Sequence, residues 1–141
     1  MIRKTEIQDM EAVYRLMCEL ERTELDKTAF TEIFEQQLCS EQWESYVFEQ
    51  DNAVIGFINM RFERQLHHAD MVAEILELCV TEKYRNQGIG TQLFRQAKET
   101  AEQHHAVRLE LSTSTWRTDA QRFYERQGMD KSHYNLTYDY E

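Results

Sequence analysis

Glu74 and Glu77 stand in an otherwise apolar run from Met71 to Val80. A carboxylate there is costly to keep charged unless it is paired. Burial raises its pKa toward the range where a general base works near neutral pH. Either residue could equally pair with an arginine or face water. A second group follows at once: Arg85-Asn86-Gln87-Gly88-Ile89-Gly90-Thr91. Glycines let a backbone approach an anion with no Cβ in the way. If a helix starts here, its first N–H groups lack internal acceptors and sit at the positive end of the dipole. With the fixed charge of Arg85, the segment is a cradle for a phosphate or pyrophosphate. The plain alternative is a tight turn with Arg85 in solvent. The loop has neither the Gly-Lys-Ser/Thr ending of a P-loop nor the full Gly-x-Gly-x-x-Gly of a dinucleotide fold, so nucleotide hydrolysis and hydride transfer lack support. His67 and His68 are adjacent, without the spacing of a helical His-x-x-x-His pair, which makes a weak metal site and suits a loop or substrate-gripping role better. Phe123 and Tyr124 fit core aromatics at helical spacing.

These groups need elements to hold them. Ile2 to Thr5 reads as a short strand, and Asp9 as the N-cap of a helix carrying Met10, Val13, Tyr14, Met17 and Leu20. A second helix carries Phe30, Ile33, Phe34 and Leu38. Tyr46 and Phe48 alternate with polar neighbours, Asp51-Asn52 suits a hairpin turn, and Val54 to Phe62 is the returning strand. Met71 to Val80 is another strand. Gly88 to about His104 is a helix, and Val107, Leu109 and Leu111 alternate as the next strand. Ala120, Phe123 and Tyr124 mark a last helix closed by Gly128, and Tyr134, Leu136, Tyr138 and Tyr140 a final strand. Hairpins mixed with crossovers predict an α/β (α+β) domain over residues 1–141, its mixed sheet covered by helices on both faces.

Composition narrows the partners. The chain has 141 residues, 41% hydrophobic and 30% charged, as one globular domain would, with too much apolar content for disorder. No apolar run approaches the roughly 20 residues that span a bilayer, and no secretory leader is evident, so the expected setting is soluble and cytoplasmic, away from membranes. The net charge of −10 argues against nucleic acid, itself a polyanion. Cys18, Cys39 and Cys79 are widely spaced and form no Cys-x-x-Cys pair, which excludes a zinc ribbon.

Arg85-Asn86-Gln87-Gly88-Ile89-Gly90 resembles the Arg/Gln-x-x-Gly-x-Gly/Ala motif of the GNAT family of N-acetyltransferases. Arg117-Thr118-Asp119-Ala120-Gln121-Arg122-Phe123-Tyr124, continuing to Gly128-Met129, resembles the same family's Asn/Arg-x-x-Ala-x-x-Phe-Tyr-x-x-x-Gly-Phe. Asn86 stands where most members have glycine, and Met129 replaces the usual Phe. A finer resemblance, to bacterial aminoalkylphosphonate N-acetyltransferases, rests on Leu66-His67-His68, Glu74 to Leu78, Glu110-Leu111-Ser112-Thr113 and Ser132-His133.

The resemblance implies a GNAT fold with six to seven strands and about four helices, and acetyl transfer from acetyl-CoA to a primary amine. It gives the pyrophosphate to Arg85, Asn86, Gln87, Gly88, Ile89, Gly90 and Thr91. It makes the Leu78 N–H the oxyanion donor, and the backbone of Cys79 and Val80 the partner of the pantetheine arm. Arg117 falls where an Asn often contacts that arm. By register Glu74 matches the base, and Glu77 joins its face only if the strand carries a bulge, as it commonly does in this family. Tyr124 matches the tyrosine that protonates the departing thiolate. The finer resemblance implies a phosphonate-bearing amine held by Arg61, Arg64 or Arg117, and a divalent metal at His67, His68 or Glu77. A polyamine, a protein N-terminus or a non-catalytic CoA-sensing role are the alternatives, and a homodimer is the expected assembly.

Overall fold

The computed structural model describes residues 1–140, and the chain divides into two compact units, Met1–Glu110 and Leu111–Glu141. In the first, the chain runs β1 (Ile2–Lys4), α1 (Met10–Glu21), α2 (Lys27–Leu38), β2 (Trp43–Gln50), β3 (Ala53–Gln65), β4 (Asp70–Val80), α3 (Ile89–Gln103) and β5 (Arg108–Leu111), the last residue of β5 belonging to the second. The strands lie in the order β1-β2-β3-β4-β5, the first four successively antiparallel. Val107 N donates to Met71 O at 2.9 Å. A strand that leaves this point beside β4 must run in the same direction as β4, which makes the sheet mixed and α3 a crossover. Five strands are seen among the described residues, fewer than the six to seven expected.

Local chemistry accounts for most boundaries. Asp51 and Asn52 both hold positive φ, 53° and 61°, as a two-residue hairpin turn of matching twist requires. Asp9 does not cap α1 with its side chain as expected. It closes a 3₁₀ turn at Ile7–Asp9 by accepting from Glu6 N at 2.8 Å, and it takes both Arg3 guanidinium nitrogens at 2.8 and 2.9 Å. The Arg3 hydrogen bonds hold this buried carboxyl below the ordinary aspartate range, against the effect of burial.

Each face of the sheet has its own core. Val47, Phe57 and Cys79 pack with Val13, Leu16 and Met17 of α1 and Phe34 of α2. On the opposite face lies α3. Gly56 permits its approach, because a Cβ there would sit 3.1 Å from Leu93 Cδ1 and 3.4 Å from Ile89 Cγ2.

In the second unit α4 spans Thr118–Arg126. Gly128, at φ 96°, ends it: Gly128 N donates to Glu125 O, and Met129 N to Tyr124 O, the paired bonds of a Schellman cap. The expected last strand does not form. Tyr134, Leu136, Tyr138 and Tyr140 keep their alternation but are 81–98% exposed, in a segment with no regular structure.

Candidate active site

A bulge decides which carboxylates meet. Asn59 pairs with Glu77 but Met60 with Ile75, so Leu76 is an extra residue in β4. Glu74 and Glu77 are three apart and would face opposite ways in a regular strand. With the bulge, both share a face with Arg61 and Asn59, their partners on β3.

The two carboxylates then differ in their neighbours. Glu74 is ion-paired, its Oε1 2.6 Å from Arg61 Nη2, and the Arg61 guanidinium lies 5.9 Å from the Trp43 ring centre. Among the described residues no cation pairs with Glu77; its Oε1 accepts from Asn59 Nδ2 at 2.8 Å, and Asn59 Nδ2 also donates to Gln37 Oε1 at 3.0 Å. Burial pushes the Glu77 carboxyl above the ordinary glutamate range; Glu21 and Glu74 add to this, and the Asn59 hydrogen bond works against it. The buried Asn59 was not among the expected site residues, although a lone amide in an apolar strand is a signal that could have found it. Gln37 carried no signal in the sequence.

The backbone beside Glu77 is equally ordered. Thr81 N donates to Ile55 O at 2.9 Å, which makes that opposed pair a hydrogen-bonded one. Alternation makes Phe57 and Cys79 the next such pair, and turns the peptide groups of Leu78 and Val80 away from β3. Arg85 Nε donating to Val80 O at 2.9 Å agrees with this. A four-residue β5 that starts opposite Met71 ends before Glu77, so within the first unit it does not reach the outward groups of Leu78 and Val80. Cys79 does not fit the role expected for it: its backbone turns toward Phe57, and its side chain is buried against α1, with Sγ 3.6 Å from Leu16 O.

After β4, a 3₁₀ turn at Glu82–Tyr84 leads into the glycine loop. Asn86 holds φ 64° and Gly88 φ 81°. The asparagine that replaces the usual glycine is thus in the left-handed region, which Asn tolerates better than most residues. Nothing lies within 4 Å of where a Gly88 Cβ would be. The first bond within α3 runs from Gln92 N to Gly88 O at 3.1 Å, and no side-chain hydrogen bond caps the helix. The amides of Ile89 and Gly90 precede that bond, close in sequence to Arg85. This arrangement fits a pyrophosphate.

In the second unit, Arg117 sits at the N-cap of α4 with its guanidinium 4.7 Å from the Trp116 ring centre. Tyr124 is half-buried, its ring 5.2 Å from that of Phe123 at 74°. The histidines do not join the carboxylates. His67 and His68 lie in the β3–β4 turn with rings 4.2 Å apart. Glu77 is seven residues along β4 from Asp70, on the order of 20 Å at the rise of a strand, too far to share an ion with them. Among the described residues no group of three or more His, Cys, Asp or Glu could hold a metal. No helix among them is long and apolar enough to cross a membrane.

Residues 10–129 match the profile of the Acetyltransferase (GNAT) family, a stretch that runs through both units. The chain is 39% identical over 136 residues to an aminoalkylphosphonate N-acetyltransferase of Salmonella typhimurium, covering 96% of this chain and 88% of that one. It is similar to the solved structure of a transcriptional regulator from Bacillus halodurans C-125, with TM-score 0.92, 25% identity and 99% of each chain covered. An aminoglycoside N-acetyltransferase in complex with CoA shares the fold, with TM-score 0.88 and 18% identity over 99% of this chain and 93% of that one.

Proposed function

This chain belongs to the acetyltransferase (GNAT) family, and on that footing we propose that it moves the acetyl group of acetyl-CoA directly onto the primary amine of a small molecule. It is an acyltransferase. The cosubstrate supplies an acyl carbon activated as a thioester, with a thiolate as leaving group. The observation that carries the reading is the uncapped start of α3 behind a strand end that turns the Leu78 N–H outward next to Glu77.

Each residue has its part. Arg85 and the amides of Ile89 and Gly90 bind the pyrophosphate; Asn86, Gln87 and Gly88 shape that loop, and Thr91 continues it into α3. Val80 aligns the pantetheine arm through its backbone, and Arg117 is assigned to the same arm from its place in the second motif. The Leu78 N–H donates to the carbonyl oxygen as negative charge develops there, an effect worth about 3–4 kcal/mol for a well-aimed donor. Glu77, directly or through water, takes the proton the amine must lose. We assign it this role over Glu74 because Glu74 is committed to Arg61, whereas burial raises the Glu77 carboxyl toward the working pH. Tyr124, from its place in the second motif, gives a proton to the departing sulfur. The two units act as one acetyltransferase domain.

The acceptor we favour is an aminoalkylphosphonate, as in the name of the Salmonella relative. Arg61 supports this. It is two residues from Asn59 on the face that carries Glu77, roughly 7 Å along the strand, so a phosphonate at Arg61 places a short amine arm near the base. The net charge of −10 favours a second reading, a cationic polyamine, through long-range attraction. Acetyl-CoA turnover with 2-aminoethylphosphonate, spermidine and a short peptide tests both. Turnover of the phosphonate supports the first reading, and turnover of spermidine alone selects the second. CoA binding without turnover of any amine makes the chain a sensor and overturns both. Residence in the cytoplasm as a homodimer completes the proposal, and sedimentation of the purified protein tests the assembly.

A further inference from the structure

Glu19 lies in the last turn of α1, 62 residues before Thr81, and has no place in the chemistry above. Its carboxylate nevertheless holds the start of the pyrophosphate loop. Oε2 accepts from Thr81 Oγ1 at 3.0 Å, Oε1 accepts from Glu82 N at 2.9 Å, and Arg85 Nη2 stands 3.5 Å from Oε1. Arg85 is held from its other side by Nε donating to Val80 O at 2.9 Å. One side chain thus ties the exit of β4, the 3₁₀ turn and the cation at the mouth of the loop to α1. We propose that Glu19 is a positioning residue that presets Arg85 and its loop for pyrophosphate. The inference rests on the acetyl-CoA reading.

The physical case weighs two opposed effects. An untethered arginine on a loop must give up its rotamer freedom when the anion arrives; a tethered one has already done so. Against this, the Glu19 charge repels the same anion. With 32% of the Glu19 side chain and 49% of Arg85 exposed, solvent and salt screen that repulsion, while short hydrogen bonds to a carboxylate keep their geometry. Positioning wins, so removing Glu19 weakens binding.

The test compares two acetyl donors, acetyl-CoA and acetyl-pantetheine, which lacks the pyrophosphate. Glu19→Ala is expected to raise the KM for acetyl-CoA about tenfold. It should leave kcat within about twofold and kcat/KM for acetyl-pantetheine unchanged. Glu19→Gln keeps an acceptor for Glu82 N without the charge, so it should recover part of the loss. It also carries the comparison if the alanine variant does not fold. A role confined to stability moves both donors together. Equal loss with both, no loss with acetyl-CoA, or tighter acetyl-CoA binding overturns the proposal. Wild-type enzyme that shows no preference for acetyl-CoA over acetyl-pantetheine overturns the cosubstrate reading instead.

Discussion

Replacing Glu77 by Gln removes a base while keeping its shape and the oxygen that accepts from Asn59 Nδ2 at 2.8 Å. A positioned general base contributes about 10²–10⁴-fold in rate, roughly 3–5 kcal/mol of barrier. Glu77→Gln should therefore lose at least about a hundredfold in kcat at saturating acetyl-CoA. The wild-type kcat/KM profile should show an inflection on its acid side, raised above the ordinary glutamate range by burial, and the variant should lack it. Stability should move the other way. Because the folded state raises this pKa, the stability gained from protonated Glu77 is full below the unfolded carboxyl value of about 4.3. It is lost as pH rises through the folded one. Gln never charges, so Glu77→Gln should melt above wild type at pH 8, with the gap closing toward pH 4. Glu74→Gln is the control: it breaks a 2.6 Å ion pair with Arg61 and should melt lower, while the acid inflection stays and moves only slightly down, since the Glu74 charge is a minor contributor to the raised Glu77 pKa. Near wild-type turnover of Glu77→Gln with its inflection intact, or a collapse of rate in Glu74→Gln instead, refutes the assignment of the base.

Tyr124→Phe should lower kcat by about a hundredfold with little change in acetyl-CoA KM, read in steady-state kinetics. Asn86, at φ 64°, should accept Gly without loss, whereas Asn86→Val should cost about 1–2 kcal/mol in denaturant melts and raise the acetyl-CoA KM. Asp9→Asn removes the charge and one of the two oxygens that accept from Arg3, which keeps Glu49, and should destabilise the fold by about 2 kcal/mol at pH 7. Since the folded Asp9 pKa is lowered, its contribution is full above the unfolded value and lost as pH falls through the folded one. The gap to wild type should therefore close in acid, as thermal melts across pH would show.

Most elements were legible from residues near one another in the chain, because their causes are local. Asp51-Asn52 makes its turn through two residues that tolerate positive φ, Gly128 ends α4 through its own cap, and helical spacing alone outlines α1, α2 and α3. The cradle at Gly88 belongs to this class, since a helix start exposes its amides wherever it folds. Only the assembled sheet decided the rest. Leu76 bulges as β4 takes its register from β3, and that one extra residue puts Glu74 and Glu77 on one face, gives Arg61 to the first and leaves Asn59 to the second. Asp9 had the right residue type for a cap, yet Arg3, brought close by the fold, claims its carboxylate. Tyr134 to Tyr140 carry the alternation of a strand without becoming one, because a strand is completed by the hydrogen bonds of a neighbour, and alternation within one segment cannot supply them.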